Sequence, residues 1–378
     1  MTTSRVSHLD ASTTDARADV FAGVLLRAPR SRALAYEYFQ DRNKRWPFAT
    51  CERGAALLDG LFADARKVIA ILDDKLAREH ADVASRARVL SQGKEIYAKK
   101  PNIRAADVTW SQEEYNHIGL QREYVKYKSV QRFTETWACM ERAEAIGVFA
   151  RLRQALNEKR VVRVASMGGG PGFELIAFRA FCSAYYPGLS LDLVSLDVEE
   201  SWRSCAEGLG LRFVKWDVRD GGVAKACGGA VDFAVASYVF KMYMCEDVVA
   251  DWLARELADI EACLVINRDE KLQHECELVR SRGVDVVKLL EQRHGGDDRQ
   301  LVFALARSFI PNASFVVSPT FPNVPYEEHK STDVRGVPRR DAPCFFWQKG
   351  ACRNGASCMY SHASAETDPI DTRARRTL

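Results

Sequence analysis

Ser166-Met167-Gly168-Gly169-Gly170-Pro171-Gly172-Phe173-Glu174 is the stretch on which the reading of the fold turns. It follows a short apolar run, Val161-Val162-Arg163-Val164-Ala165, and leads into a segment at about 172–185 that reads as a helix. A brief β-branched run suits a strand. The glycines after it permit a tight turn and let a ligand approach the backbone without interference from a Cβ.

Outward from this unit the alternation continues. Segments 189–197, 211–217, 231–236 and 262–267 read as further strands, with helical segments between most of them. Repetition of that kind argues for a parallel sheet covered by helices on both faces. Segments 284–290 and 300–305 are two more strands, joined by the turn-forming His294-Gly295-Gly296-Asp297-Asp298. So short a connection makes these two antiparallel. The expected fold class is α/β, a Rossmann-like sheet of five parallel strands plus an antiparallel terminal hairpin.

Gly168, Gly170 and Gly172 form a Gly-x-Gly-x-Gly that resembles motif I of the class I S-adenosylmethionine-dependent methyltransferases, over roughly residues 132–306. A dinucleotide-binding Gly-x-Gly-x-x-Gly fits less well, because Phe173 or Leu175 falls on its last glycine. The resemblance implies the same sheet and S-adenosylmethionine as cofactor. It implies that Asp197, 25 residues after Gly172, accepts hydrogen bonds from both ribose hydroxyls, and that Asp217, 45 residues after it, meets the adenine amino group. A carboxylate accepts several hydrogen bonds and donates none. Read without the resemblance, both are strand-end acids that cap the next helix.

There are departures from that family. Ser166 stands where an acid often lies two residues before the first glycine, which weakens the grip expected on the cofactor's amino-acid end. The run Ala236-Ser237-Tyr238-Val239-Phe240-Lys241-Met242-Tyr243 carries no motif for methylating amino groups or cytosine C5, and no acid of a ribose methyltransferase. The catalytic residues are therefore unassigned; methyl transfer can run largely on proximity and alignment. Tyr124, Lys128 and Arg132 share one helical face before the first strand. That face either carries a cation to the cofactor's carboxylate or is simply solvated.

Before the sheet, residues 1–32 read as a disordered tail and 33–120 as a helical region. Leu57, Leu58, Leu61, Val68, Ile69, Leu72 and Leu76 recur there at three- and four-residue steps. A second helical stretch, about 112–157, reads as two helices. The methyltransferase-like domain is expected over 121–308 and a linker over 309–342.

Cys344, Cys352, Cys358 and His362 follow, spaced Cys-x7-Cys-x5-Cys-x3-His. Three thiolates and an imidazole suit tetrahedral Zn²⁺, and a segment of about 20 residues needs a metal in place of a hydrophobic core. Residues 343–363 resemble the CCCH zinc-finger family, which implies contact with single-stranded RNA. Phe346 and Tyr360 would stack on bases, with Lys349 and Arg353 near phosphates. Residues 364–378 are a polar tail. Between Lys330 and His362 six Lys/Arg face two acids, a local excess that attracts a phosphate backbone.

The rest of the composition is ordinary for a globular protein: 47% hydrophobic, 28% charged, net charge +3. No apolar run approaches the roughly 20 residues of a membrane helix. Eight of the eleven cysteines are scattered from Cys51 to Cys276 and read as reduced, which points to an intracellular protein, nuclear or cytoplasmic. The expected function is that of a zinc-binding RNA methyltransferase. The alternative is an RNA-binding or assembly protein whose methyltransferase fold has lost catalysis.

Overall fold

Helices and strands of the expected kinds occupy residues 52–99, 110–244, 246–267, 273–289 and 299–305, which the computed structural model describes. The central strands carry almost nothing but apolar and small residues. Strand β1 (Val162–Met167) is followed by β2 (Leu191–Asp197), β3 (Arg212–Lys215), β4 (Phe233–Ser237), β5 (Ala262–Asn267), β6 (Val284–Lys288) and β7 (Arg299–Leu305). Every residue of β4 and β5 is buried, the pattern of strands covered on both faces.

The strands join in the order β3-β2-β1-β4-β5-β7-β6. The pairs β3–β2, β2–β1, β1–β4 and β4–β5 are parallel, and β7 runs antiparallel to β5 and β6. The fold is thus α/β with a mixed seven-stranded sheet. Its order reverses at β1, which lies between β2 and β4, and ligands of open α/β sheets bind in the crevice at the carboxyl end of such a switch point.

Helix α1 (Glu52–Glu79) turns into α2 (Val83–Lys99). After residue 110 come α3 (Gln112–Asn116), α4 (Ile118–Ala145) and α5 (Ala150–Asn157), three helices where the periodicity suggested two. The cause is local. Ser111 and Glu114 form a capping box at the start of α3, and His117 then caps α4 by accepting from the Leu120 N–H at 3.2 Å. An expected domain boundary at residue 120 falls inside the first turn of α4.

Leu58, Leu61, Val68, Ile69, Leu72 and Leu76 of α1 are buried in the same core as Trp137 of α4 and Phe178 of α6 (Phe173–Tyr185), on one face of the sheet. Each such leucine stabilises by about 1.5–3 kcal/mol. The other face packs under Trp216 and Trp252. Helix α2 crosses α4 with backbone in contact: a Cβ on Gly93 would lie 2.0 Å from the Gly119 carbonyl carbon, and one on Gly119 2.3 Å from the Val89 oxygen. Only glycine allows this approach, and it fixes α4 against the helices before it.

The cysteines Cys139, Cys182, Cys205, Cys227, Cys263 and Cys276 are buried and form no disulfide among the described residues. Among the described residues no helix is long and apolar enough to cross a membrane. The tails, the linker and the zinc-finger segment lie outside the described residues.

Candidate functional site

At the carboxyl end of β1 the chain enters the glycine loop. Gly168, Gly170 and Gly172 all have left-handed backbones, with φ of 64°, 51° and 90°. Two of them also stand where no side chain fits: a Cβ on Gly168 would meet Val239 Cγ2 at 2.3 Å, and one on Gly172 would meet Leu211 Cδ1 at 2.2 Å. Gly172 opens α6.

The loop is tied to β2 through both backbone polar groups of one residue, Gly170. The Gly170 N–H donates to Asp197 Oδ2 at 2.8 Å, and Ser195 Oγ donates to the Gly170 carbonyl at 2.9 Å. Asp197 Oδ1 accepts from the Glu199 N–H at 2.8 Å. Among the described residues no cation pairs with Asp197, so burial dominates and pushes its carboxyl up to about 6, against the pull of the two backbone donors. A carboxylate with two N–H partners keeps lone pairs for further donors.

Asp217 is placed differently. It caps the short turn Val218–Asp220 by accepting from the Arg219 N–H at 2.9 Å, and its carboxylate pairs with the Arg219 guanidinium. That hydrogen bond lowers its pKa. Asp217 is thus bound to its own turn, as the capping reading has it, whereas Asp197 holds the glycine loop.

The face of α4 carrying Tyr124, Lys128 and Arg132 does not point into water. The Arg132 guanidinium is mostly buried, 3.5 Å from Glu174 Oε1 and 4.0 Å above the Tyr238 ring. It donates from Nη1 to Ser237 Oγ at 3.2 Å and from Nε to the Tyr124 hydroxyl at 3.4 Å. Tyr238 follows β4 with φ of 60°, a strained backbone for an aromatic residue. Its hydroxyl donates to Glu135 Oε1 at 2.9 Å and accepts from Gln131 at 2.6 Å. Burial pushes the Glu174 carboxyl up to about 7, with Arg132 and the Ser237 hydroxyl only partly offsetting it. Arg132 remains charged: burial opposes its charge, but the oxygens of Tyr124, Glu174, Tyr238 and Glu135 raise its pKa.

Aromatic rings close the space between these groups. Tyr124 lies 5.5 Å from Trp202, whose Nε1 is 3.7 Å from the place of a Gly170 Cβ, and Tyr115 lies 6.5 Å from Tyr124. Helix α3 is fastened over the β2 exit by Gln112, which donates to Glu199 Oε2 at 2.5 Å. Tyr243, 39% exposed, stands at the rim, its pKa raised by burial and by Asp197.

The turn at the glycines and the strand-end position of Asp197 were legible from spacing. Glu174, Ser237 and Tyr238 carry no motif of their own; the signal for Glu174 is an acid two residues past the glycine loop, in a helix otherwise apolar at its start. Cys344, Cys352, Cys358, His362, Phe346, Lys349, Arg353 and Tyr360 lie outside the described residues. Among the described residues no cluster of three metal-ligating side chains occurs.

No protein-family model matches the chain, and no curated protein matches it. Solved structures do. The CMeT domain of the citrinin polyketide synthase is 13% identical over 77% of this chain and 86% of that one, with a TM-score of 0.40. An O-methyltransferase family protein from Burkholderia thailandensis is 13% identical over 58% and 71%, with a TM-score of 0.37. WbdD, solved with a kinase inhibitor, is 13% identical over 46% of this chain, with a TM-score of 0.32; this chain spans 40% of its length.

Proposed function

We propose that this chain binds S-adenosylmethionine at the glycine loop and methylates RNA, which a C-terminal CCCH zinc finger holds. The observation that carries the cofactor reading is the contact of the Gly170 N–H with Asp197, at the carboxyl end of the strand where the sheet order reverses. The residues fit the group. Three left-handed glycines keep the loop bare, and Asp197 is a partly desolvated acceptor facing no cation among the described residues, suited to a ribose diol. When bound, the cofactor supplies the methyl group. The chain's own part is to hold its sugar through Asp197 and to screen it from water behind Tyr115, Tyr124 and Trp202.

The zinc reading rests on the donor set, three thiols and one imidazole at finger spacing, and the RNA reading on Phe346, Tyr360, Lys349 and Arg353 beside them. Elemental analysis of chelator-free protein should find one zinc per chain, and Cys352→Ala should abolish both zinc and RNA binding. Label from S-adenosylmethionine should pass to total RNA. Finding neither cofactor binding nor label transfer rejects the reading.

One observation favours a non-catalytic variant of this function. Two side chains at the exit of β4 are engaged, Ser237 by Arg132 and Tyr238 by Glu135, so neither stands ready to take a proton. If so, cofactor and RNA bind, no label moves, and Asp197→Ala leaves RNA binding intact.

A further inference from the structure

The glycine loop lacks the acid that would answer the ammonium of an α-amino acid. Ser166 stands in its place, fully buried, its hydroxyl without a hydrogen-bond partner among the described residues. A cofactor ending in an amino acid presents an ammonium and a carboxylate on one carbon, and burying that end uncompensated is costly. Both countercharges exist on the other flank of the same loop. Glu174 is the second residue of α6, two past Gly172, and Arg132 reaches Ser237 at the end of β4, the strand beside β1.

We infer that the Arg132–Glu174 pair is the receptor for the amino-acid end of S-adenosylmethionine, with Glu174 taking the ammonium and Arg132 the carboxylate. This rests on the cofactor reading of the loop.

Four observations bear on it. The side chains are 11% and 4% exposed, so each is desolvated, yet their closest approach is a single 3.5 Å contact, long for a pair that must offset burial through its own geometry. The guanidinium has five N–H donors, and Nη2 makes none of the contacts given above. Its plane is held on the Tyr238 ring, itself fixed by Glu135 and Gln131, so Arg132 is oriented before any ligand arrives. Finally, Tyr124 touches both Arg132 and Trp202, and Trp202 lies against Gly170 and so near Asp197. One continuous wall therefore runs from the acid suited to the sugar to the charges suited to the amino acid.

Calorimetry on the full chain with two ligands separates this role from that of a clamp between α4 and α6. S-adenosylhomocysteine carries the amino-acid end; 5′-methylthioadenosine lacks it. Glu174→Gln should weaken the first by about tenfold or more, the scale of a lost charged hydrogen bond, and leave the second unchanged. Asp197→Asn should weaken both. Unchanged affinity of Glu174→Gln for S-adenosylhomocysteine, or equal losses for both ligands, overturns the inference while the cofactor reading stands. Wild-type protein that binds neither ligand overturns both. Should Glu174→Gln fail to fold, wild-type protein decides: S-adenosylhomocysteine without its α-amino group must bind about tenfold more weakly. Equal affinity refutes the assignment.

Discussion

At the amino edge of the sheet, Asp192 takes Arg163 at 2.6 Å and Arg212 at 2.8 Å, and Asp232 takes Arg160 at 2.7 Å. All are near water, and each acid meets a cation. At the carboxyl edge the same residue types are used otherwise. Asp197 faces no cation among the described residues, and Arg132 and Glu174 are withdrawn from solvent with one loose contact between them. Exposed pairs of the first kind contribute little and are easily satisfied. Charges of the second kind cost stability, and such cost is concentrated where ligands bind.

The largest expected effect breaks the carboxyl edge. Asp197→Ala removes the acceptor of two backbone N–H groups as well as the proposed acceptor for the sugar, and affinity for S-adenosylhomocysteine should fall about a hundredfold by calorimetry. Next is the support of α4. Gly119→Ala forces a methyl against the Val89 carbonyl and should destabilise the fold by about 1–3 kcal/mol in urea unfolding.

A smaller effect is a pH dependence. Burial pushes the Glu174 carboxyl up to about 7, and it faces Arg132 and Glu135 of α4, Tyr124, and the Ser237 hydroxyl. Only its ionised form answers an ammonium, so affinity for S-adenosylhomocysteine should rise about tenfold from pH 6 to 8. Glu174→Gln should lack that rise, while 5′-methylthioadenosine should report only the part due to Asp197. Stability runs the other way. A carboxyl raised in the folded state stabilises below its unfolded pKa, and that contribution is lost as pH rises toward 7. Smallest is Asp192→Asn at the amino edge: a stability change within about 1 kcal/mol and no change in ligand affinity.

What was legible in the sequence was local. β1, the glycines and Asp197 follow from runs, turns and the spacing of one strand–helix unit. Ser111 and Glu114 would have located the start of α3, since a capping box is written within four residues. The Arg132–Glu174 partnership was not legible, because it joins residues 42 positions apart through the packing of α4 on α6. Periodicity alone cannot tell a solvated polar face from a buried one, and α4 buries Gln121, Gln131, Glu135 and Glu144. Asp217 shows the converse. Its spacing matches that of an adenine-binding acid, but spacing did not reveal the contact with Arg219, two residues away.

The most direct test of the carboxyl-edge site is a crystal structure of the chain with S-adenosylhomocysteine. The account predicts the ligand on the glycine loop, ribose hydroxyls on Asp197 and the amino-acid end between Glu174 and Arg132. A ligand seated elsewhere, or none at saturating concentration, would contradict it.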